Sequence, residues 1–192
     1  GLCGGFNSSI ARAVRLKIRQ LQQEGKRVQL LCVGRKGYDQ LRFEFDDLVK
    51  ETIHDITKRQ ITYADAESIA TTVIALFEKE EVGTVSIVYN KFKTAISQEV
   101  TFAQLIPLAC NENREHVNTD DAANHTDNTE IQATYEYEPS EEEVLNSLLP
   151  KNVGIQIYKA LLENAASEQG ARMSAMDNAT RNAGEMIKKL TL

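Results

Sequence analysis

At 192 residues, 42% of them apolar, the chain is long enough for one domain with a core and an appendage. No stretch approaches the 18 or more apolar residues of a membrane span, and none has a signal-peptide pattern. The net charge of −6 hides an asymmetry: residues 111–143 hold eleven acids against Arg114 alone, a net −10, while the remainder holds 17 acids and 21 bases, a net +4. That basic excess is too small to argue for nucleic acid.

The chain opens with a glycine loop, Gly1-Leu-Cys-Gly-Gly5, and then a helical pattern over 8–23. Ile10, Val14, Ile18 and Leu21 line one face, with Arg12, Arg15, Lys17 and Arg19 on the others. An apolar run at 28–33 reads as a buried strand. Gly34-Arg-Lys-Gly37 follows it, then a short helix at 38–43 and a weaker strand at 48–53. Thr62 stands before a strong helix at 63–79 carrying Ile69, Val73, Ile74 and Phe77. Residues 85–89 read as a second buried strand, Lys91-Phe-Lys93 as a turn, and 98–106 as a strand exposed on one face. Strands alternating with helices predict an α/β fold, a Rossmann-like, partly parallel sheet flanked by helices.

The acidic 111–130 segment reads as a solvated loop. Residues 131–137 alternate again as a strand. Pro139-Ser140 followed by three glutamates is a helix start, with acids where the helix dipole favours them. That helix is expected to end at Leu149, broken by Pro150. From Asn152 to Leu190 no proline intervenes, so a helix on the order of 55 Å is predicted. Leu162, Gln169, Met176, Ala183 and Leu190 fall seven apart, with Ala166, Met173, Thr180 and Ile187 between them. This is coiled-coil a/d spacing with small residues in place of most Leu and Ile, a seam that lets a partner helix come close. The domains expected are 1–150, an α/β body, and 151–192, a long helix. The first residue is not Met and no stop signal follows the last helix, so we expect a fragment whose two ends continue.

Local chemistry is sparse. Cys3, Cys32 and Cys110 form no CxxC, and His54, His116 and His125 are scattered, so we expect a reducing compartment and no metal site. The glycines Gly1, Gly4 and Gly5 precede a helix, as phosphate-binding loops do, but match neither GxGxxG nor a P-loop. A structural turn is the plainer reading. No catalytic residue and no cofactor is indicated.

Two segments together resemble one family. The stretch GLCGGFN at 1–7 resembles the DRGLCGxxN loop of the gamma subunit of F-type ATP synthase, and ALLENAASEQGARMSAMDNATRNAG at 160–184 resembles that family's signature in its C-terminal helix. YEYEP at 135–139 resembles its YxYEP segment. The resemblance covers essentially the whole chain, but the family's N-terminal helix and the end of its C-terminal helix are missing from this sequence. The acidic loop also lacks the paired cysteines of the redox-regulated plastid branch.

The resemblance implies a globular foot plus the lower part of a coiled-coil shaft. It implies a non-catalytic central-stalk rotor subunit that transmits torque in proton-coupled ATP synthesis. The implied partners are the epsilon subunit, the rotor-ring c subunits, and the catalytic alpha and beta subunits. The implied place is the cytoplasmic face of a bacterial inner membrane, with the mitochondrial matrix side as the alternative. Tyr135, Tyr137 and Glu138 match the segment that meets the rotor ring and epsilon. Glu168 and Arg172 match positions coupled to the beta subunits, although an ion pair between residues four apart on a helix is the plain reading. A Rossmann-like nucleotide-binding enzyme with a dimerising helix stands as the alternative.

Overall fold

The computed structural model describes residues 2–54, 56, 60–108 and 141–191, without the side chains of 141, 142, 144 and 145. Gly1, the acidic segment, the expected strand at 131–137, Cys110, His116, His125 and the candidate contacts Tyr135, Tyr137 and Glu138 lie outside the described residues. In chain order the elements are α1 (Phe6–Gln23), β1 (Leu30–Val33), α2 (Arg35–Phe45), a 3-10 turn (Asp46–Leu48), β2 (Val49–Ile53), α3 (Tyr63–Glu78), β3 (Val85–Phe92), β4 (Gln98–Ile106) and α4 (Glu141–Leu190).

β1 and β2 pair in parallel through α2, a βαβ unit, from Leu30 opposite Val49 to Val33 opposite Ile53. Leu30 and Cys32 pack on one side, with Ala11 and Ile18 of α1 and Leu41 and Phe45 of α2. Leu31 and Val33 pack on the other, with Ile69, Val73, Leu105 and Ile157. Successive strand residues face opposite sides, so a strand covered on both faces reads as one unbroken apolar run. Burial also pushes the Cys32 thiol up from its ordinary pKa. Gly34 makes the tight strand-to-helix turn at φ +103°, a conformation that disfavours any side chain, and its N–H still donates to Ile53 O at 2.9 Å. The Gly34–Gly37 segment is therefore the start of α2.

Two of the basic residues assigned to the outer faces of α1 tie it to α2. Arg15 donates to Gln40 O at 2.5 Å, and Arg15 and Arg19 both lie 3.0 Å from Glu44. α3 starts as Thr62 led us to expect. The Asp65 carboxylate accepts from both the Thr62 N–H (2.9 Å) and hydroxyl (2.8 Å), holding the first turn closed.

β3 and β4 form an antiparallel hairpin, and here one expectation fails. Lys91 and Phe92 belong to β3, opposite Glu99 and Gln98, and the turn begins only at Lys93. Cross-strand pairing between Lys91 and Glu99 suits an exposed strand end, which charge alone makes look like a turn.

The free edge of β3 is covered by α4. The Asn90 N–H donates to Asn164 Oδ1 at 3.2 Å, and Ser167 Oγ donates to Asn90 O at 2.9 Å. A helix thus satisfies main-chain groups that a further strand would otherwise take.

The expected break at Pro150 is also corrected. α4 runs unbroken through it for 50 residues, about 75 Å. Proline removes the bond to the Asn146 carbonyl, but residues 146–152 are exposed, so water can take that place.

Candidate interaction surfaces of the long helix

α4 carries two stripes. On the inner one Val153, Ile157, Ala160, Ser167 and Gly170 are buried, facing α3 and the hairpin. With the half-buried Asn164 between Ala160 and Ser167, these residues recur every three or four positions, the spacing of one helix face. On the other stripe the seven-residue seam is exposed at every position from Leu162 to Leu190, with Met173, Met176 and Ile187 at 59%, 47% and 61% of full exposure. Leu162 is two residues before Asn164, a rotation of about 200°, so the seam points away from the face that holds the helix to the body.

The helix top is therefore held by little besides its own backbone. All residues from Met176 to Thr191 are exposed. Isolated helices are marginal without tertiary packing. In a proven monomer of this chain, amides over 178–190 are expected to exchange with solvent far faster than those over 153–167. Strong protection there would count against an unpartnered seam.

Two other segments lie against α4, one of them through a close approach that only glycine permits. A methyl on Gly170 would lie 3.0 Å from Ala95 O and 3.2 Å from its Cα, so only glycine lets the hairpin turn rest here without displacement. A methyl on Gly4 would lie 3.9 Å from Ala175 Cβ, and Gly4 has φ +55°. Residues 3–5 form a turn beside α4, where Cys3 and Phe6 are buried.

Beside that loop is a groove of about 400 Å³ lined by Ser9, Asn90, Gln98, Ser174 and Asn178 among others. Among the described residues that line it there is no lysine or arginine. The buried Asn90 Nδ2 has no hydrogen-bond partner among the described residues.

Glu168 and Arg172 come together as the i, i+4 spacing implied. Arg172 Nη2 lies 2.5 Å from Glu168 Oε1, and Nη1 donates to Gln169 Oε1 at 2.9 Å. The pair lines a second groove of about 410 Å³ with Gln60, Ile61, Tyr158 and the seam residues Leu162 and Gln169. Both side chains are partly exposed, so the pair contributes at most a few tenths of a kcal/mol on its own. Burial, and to a lesser degree the half-buried Glu163, raises the Tyr89 pKa. Among the described residues there is no cluster able to hold a metal ion, and no helix is long and apolar enough to cross a membrane.

A family model described as "ATP synthase" matches residues 1–192. The ATP synthase gamma chain of Rhodospirillum rubrum is 51% identical over the whole of this chain, and that of Methylobacterium sp. is 52% identical. The chain belongs to the gamma-chain family of ATP synthase. It spans 62% of the length of those two gamma chains. Its fold is similar to a chain of the Tetrahymena thermophila mitochondrial ATP synthase central stalk and c-ring, with TM-score 0.68 and 29% identity, over 94% of this chain and 71% of that one. A chain of the Euglena gracilis mitochondrial ATP synthase rotor shares the fold at TM-score 0.61 and 21% identity, over 98% and 66%.

Within this gamma-chain segment the sequence reading found the outward seam and missed the inward one. Asn164, Ser167 and Gly170 are small or polar, so no apolar period announces them, and their partners Asn90 and Ala95 are more than 70 residues away. The one available signal was Gly170 itself, an otherwise costly residue in a helix interior.

Proposed function

We propose that this gamma-chain segment is the foot and lower shaft of a non-catalytic rotor. It would carry torque between a membrane rotor ring and a catalytic head in proton-coupled ATP synthesis and hydrolysis. One observation carries the reading: α4 is anchored to the body by one stripe and presents a continuous seven-residue seam on the other. A helix built this way has a partner helix to meet. We assign that role to the N-terminal helix of the full-length subunit. The division into a foot at 1–150 and a shaft at 151–192 follows from the same reading, with α4 beginning inside the foot.

The partners proposed are the epsilon subunit and rotor-ring c subunits at the foot, and the alpha and beta subunits along the shaft. The exposed Phe92 and Phe102 on the hairpin support a protein-binding foot. Tyr135, Tyr137 and Glu138 are the proposed ring and epsilon contacts, and Glu168 with Arg172 the proposed coupling pair. The location proposed is peripheral, on the cytoplasmic face of a bacterial inner membrane. No cofactor enters this reading. The alternative, a nucleotide-binding enzyme, gains no support from the groove beside the glycine loop, where no described lining residue offers a cation to a phosphate.

The test is the double change Tyr137→Ala and Glu138→Ala in the full-length subunit within the complex. Exposed aromatics anchor protein interfaces. Ion-coupled ATP synthesis is expected to fall much more than ATP hydrolysis by the detached head. Equal loss of both would indicate misfolding. Retention of both would remove these residues from the coupling contact.

A further inference from the structure

Along its inner stripe α4 changes character. Val153, Ile157 and Ala160 are buried in the apolar core, but Asn164, Ser167 and Gly170 meet the hairpin by hydrogen bonds and close approach. Apolar contact resists separation and is non-directional. Hydrogen bonds have a narrow angular range. A helix held only by alanine-sized contacts could turn or slide a little at small cost. One held by directed bonds to a strand could not.

We infer that Asn164 and Ser167 lock the rotational and axial register of α4 against β3, and that this lock is the joint through which a turning moment passes between foot and shaft. The second half of the inference rests on the rotor reading above.

The sequence around the pair supports it. The Asn90 edge presents one donor and one acceptor, and α4 answers with one acceptor, Asn164 Oδ1, and one donor, Ser167 Oγ. The two lie three residues apart, about 4.5 Å along the helix. Shifting α4 by four residues would offer Ala160 and Glu163, or Glu168 and Ala171. Shifting it by three would offer Leu161 and Asn164, or Ser167 and Gly170. None of these pairs supplies an acceptor and a donor in that order. Gly170 enforces the same register independently, because the same shifts would bring Ala166, Ser167, Met173 or Ser174 against Ala95. Ser167 is fully buried and Asn90 nearly so, so water does not readily replace the lost bonds.

Three variants test this: Asn164→Leu, which removes the acceptor; Ser167→Ala, which removes the donor with almost no change of volume; and Asn164→Asp, which keeps an acceptor. In this chain, amide exchange at Asn90 is expected to rise at least tenfold in Asn164→Leu and to stay near the parent rate in Asn164→Asp. In the reconstituted complex, Ser167→Ala and Asn164→Leu are expected to pump fewer ions per ATP hydrolysed, and Asn164→Asp to keep the parent ratio. Unchanged exchange at Asn90 in Asn164→Leu would overturn the lock. Lost protection with a full pumping ratio would overturn its role as the joint, as would an equal fall of pumping and hydrolysis. Failure of the full-length parent subunit to support any coupled activity would instead overturn the rotor reading, and exchange at Asn90 would still decide the lock.

Discussion

Replacing Ile157 by alanine is expected to destabilise this chain by about 2–5 kcal/mol, the range for truncating a buried isoleucine. Ile157 is only 1% exposed and belongs to the cluster that joins α3, β4 and α4, with Ala66, Ile69, Val73, Leu105 and Val153. The value is expected near the upper end. Ala66 and Ala70 in the same cluster are too short to collapse into the space left, and unfilled volume adds to the transfer cost. Equilibrium urea unfolding of both forms measures it. A loss below about 1 kcal/mol would mean that α4 is not held to the body through this stripe.

The second large effect is expected where the isolated chain feels nothing. Met176 and Ile187 are both exposed on the seam. Changing both to aspartate is expected to alter the stability of this chain by no more than about 1 kcal/mol, because surface changes away from packed features are small and aspartate weakens a helix only slightly. In the full-length subunit the same two charges would face a partner helix. Burying an unpaired carboxylate costs several kcal/mol. The yield of assembled, ion-coupled complex is therefore expected to fall at least tenfold. Glu185→Ala, a change almost opposite Ala183 around the helix, is expected to leave assembly intact. Normal assembly of the double variant would show that the seam is not a helix-pairing surface.

Much of the fold was legible because its signals are local. The 28–33 run marked a strand covered on both sides, Thr62 marked the start of α3, and alternation marked β4. The outward seam of α4 was legible because its seven-residue spacing needs no knowledge of the partner. Three things were not. Pro150 reads as a breaker in isolation, yet a helix continues past it where the freed carbonyl can meet water. The end of β3 looked like a turn because the Glu99 opposite Lys91 lies on the far side of the hairpin turn. The inner stripe was invisible because its specificity comes from Asn164 and Ser167 meeting a main chain that folding alone brings near. Of the candidate contacts, Glu168 and Arg172 come together as their spacing implied, a geometry that any exposed helix pair can adopt.

The covering of β3 by a helix has a consequence for how the chain fails. A strand edge with free amides and carbonyls is a template for adding strands from other molecules. Here the guard on that edge is the same helix whose upper part stands alone in solvent. Peeling of α4 as far down as Ser167 would open Asn90 and its neighbours to intermolecular strand addition, next to the exposed Phe92 and Phe102. Solubility during synthesis, before α4 has emerged and docked, therefore depends on how soon α4 closes over β3. An element made well after the hairpin is the one that keeps it from aggregating.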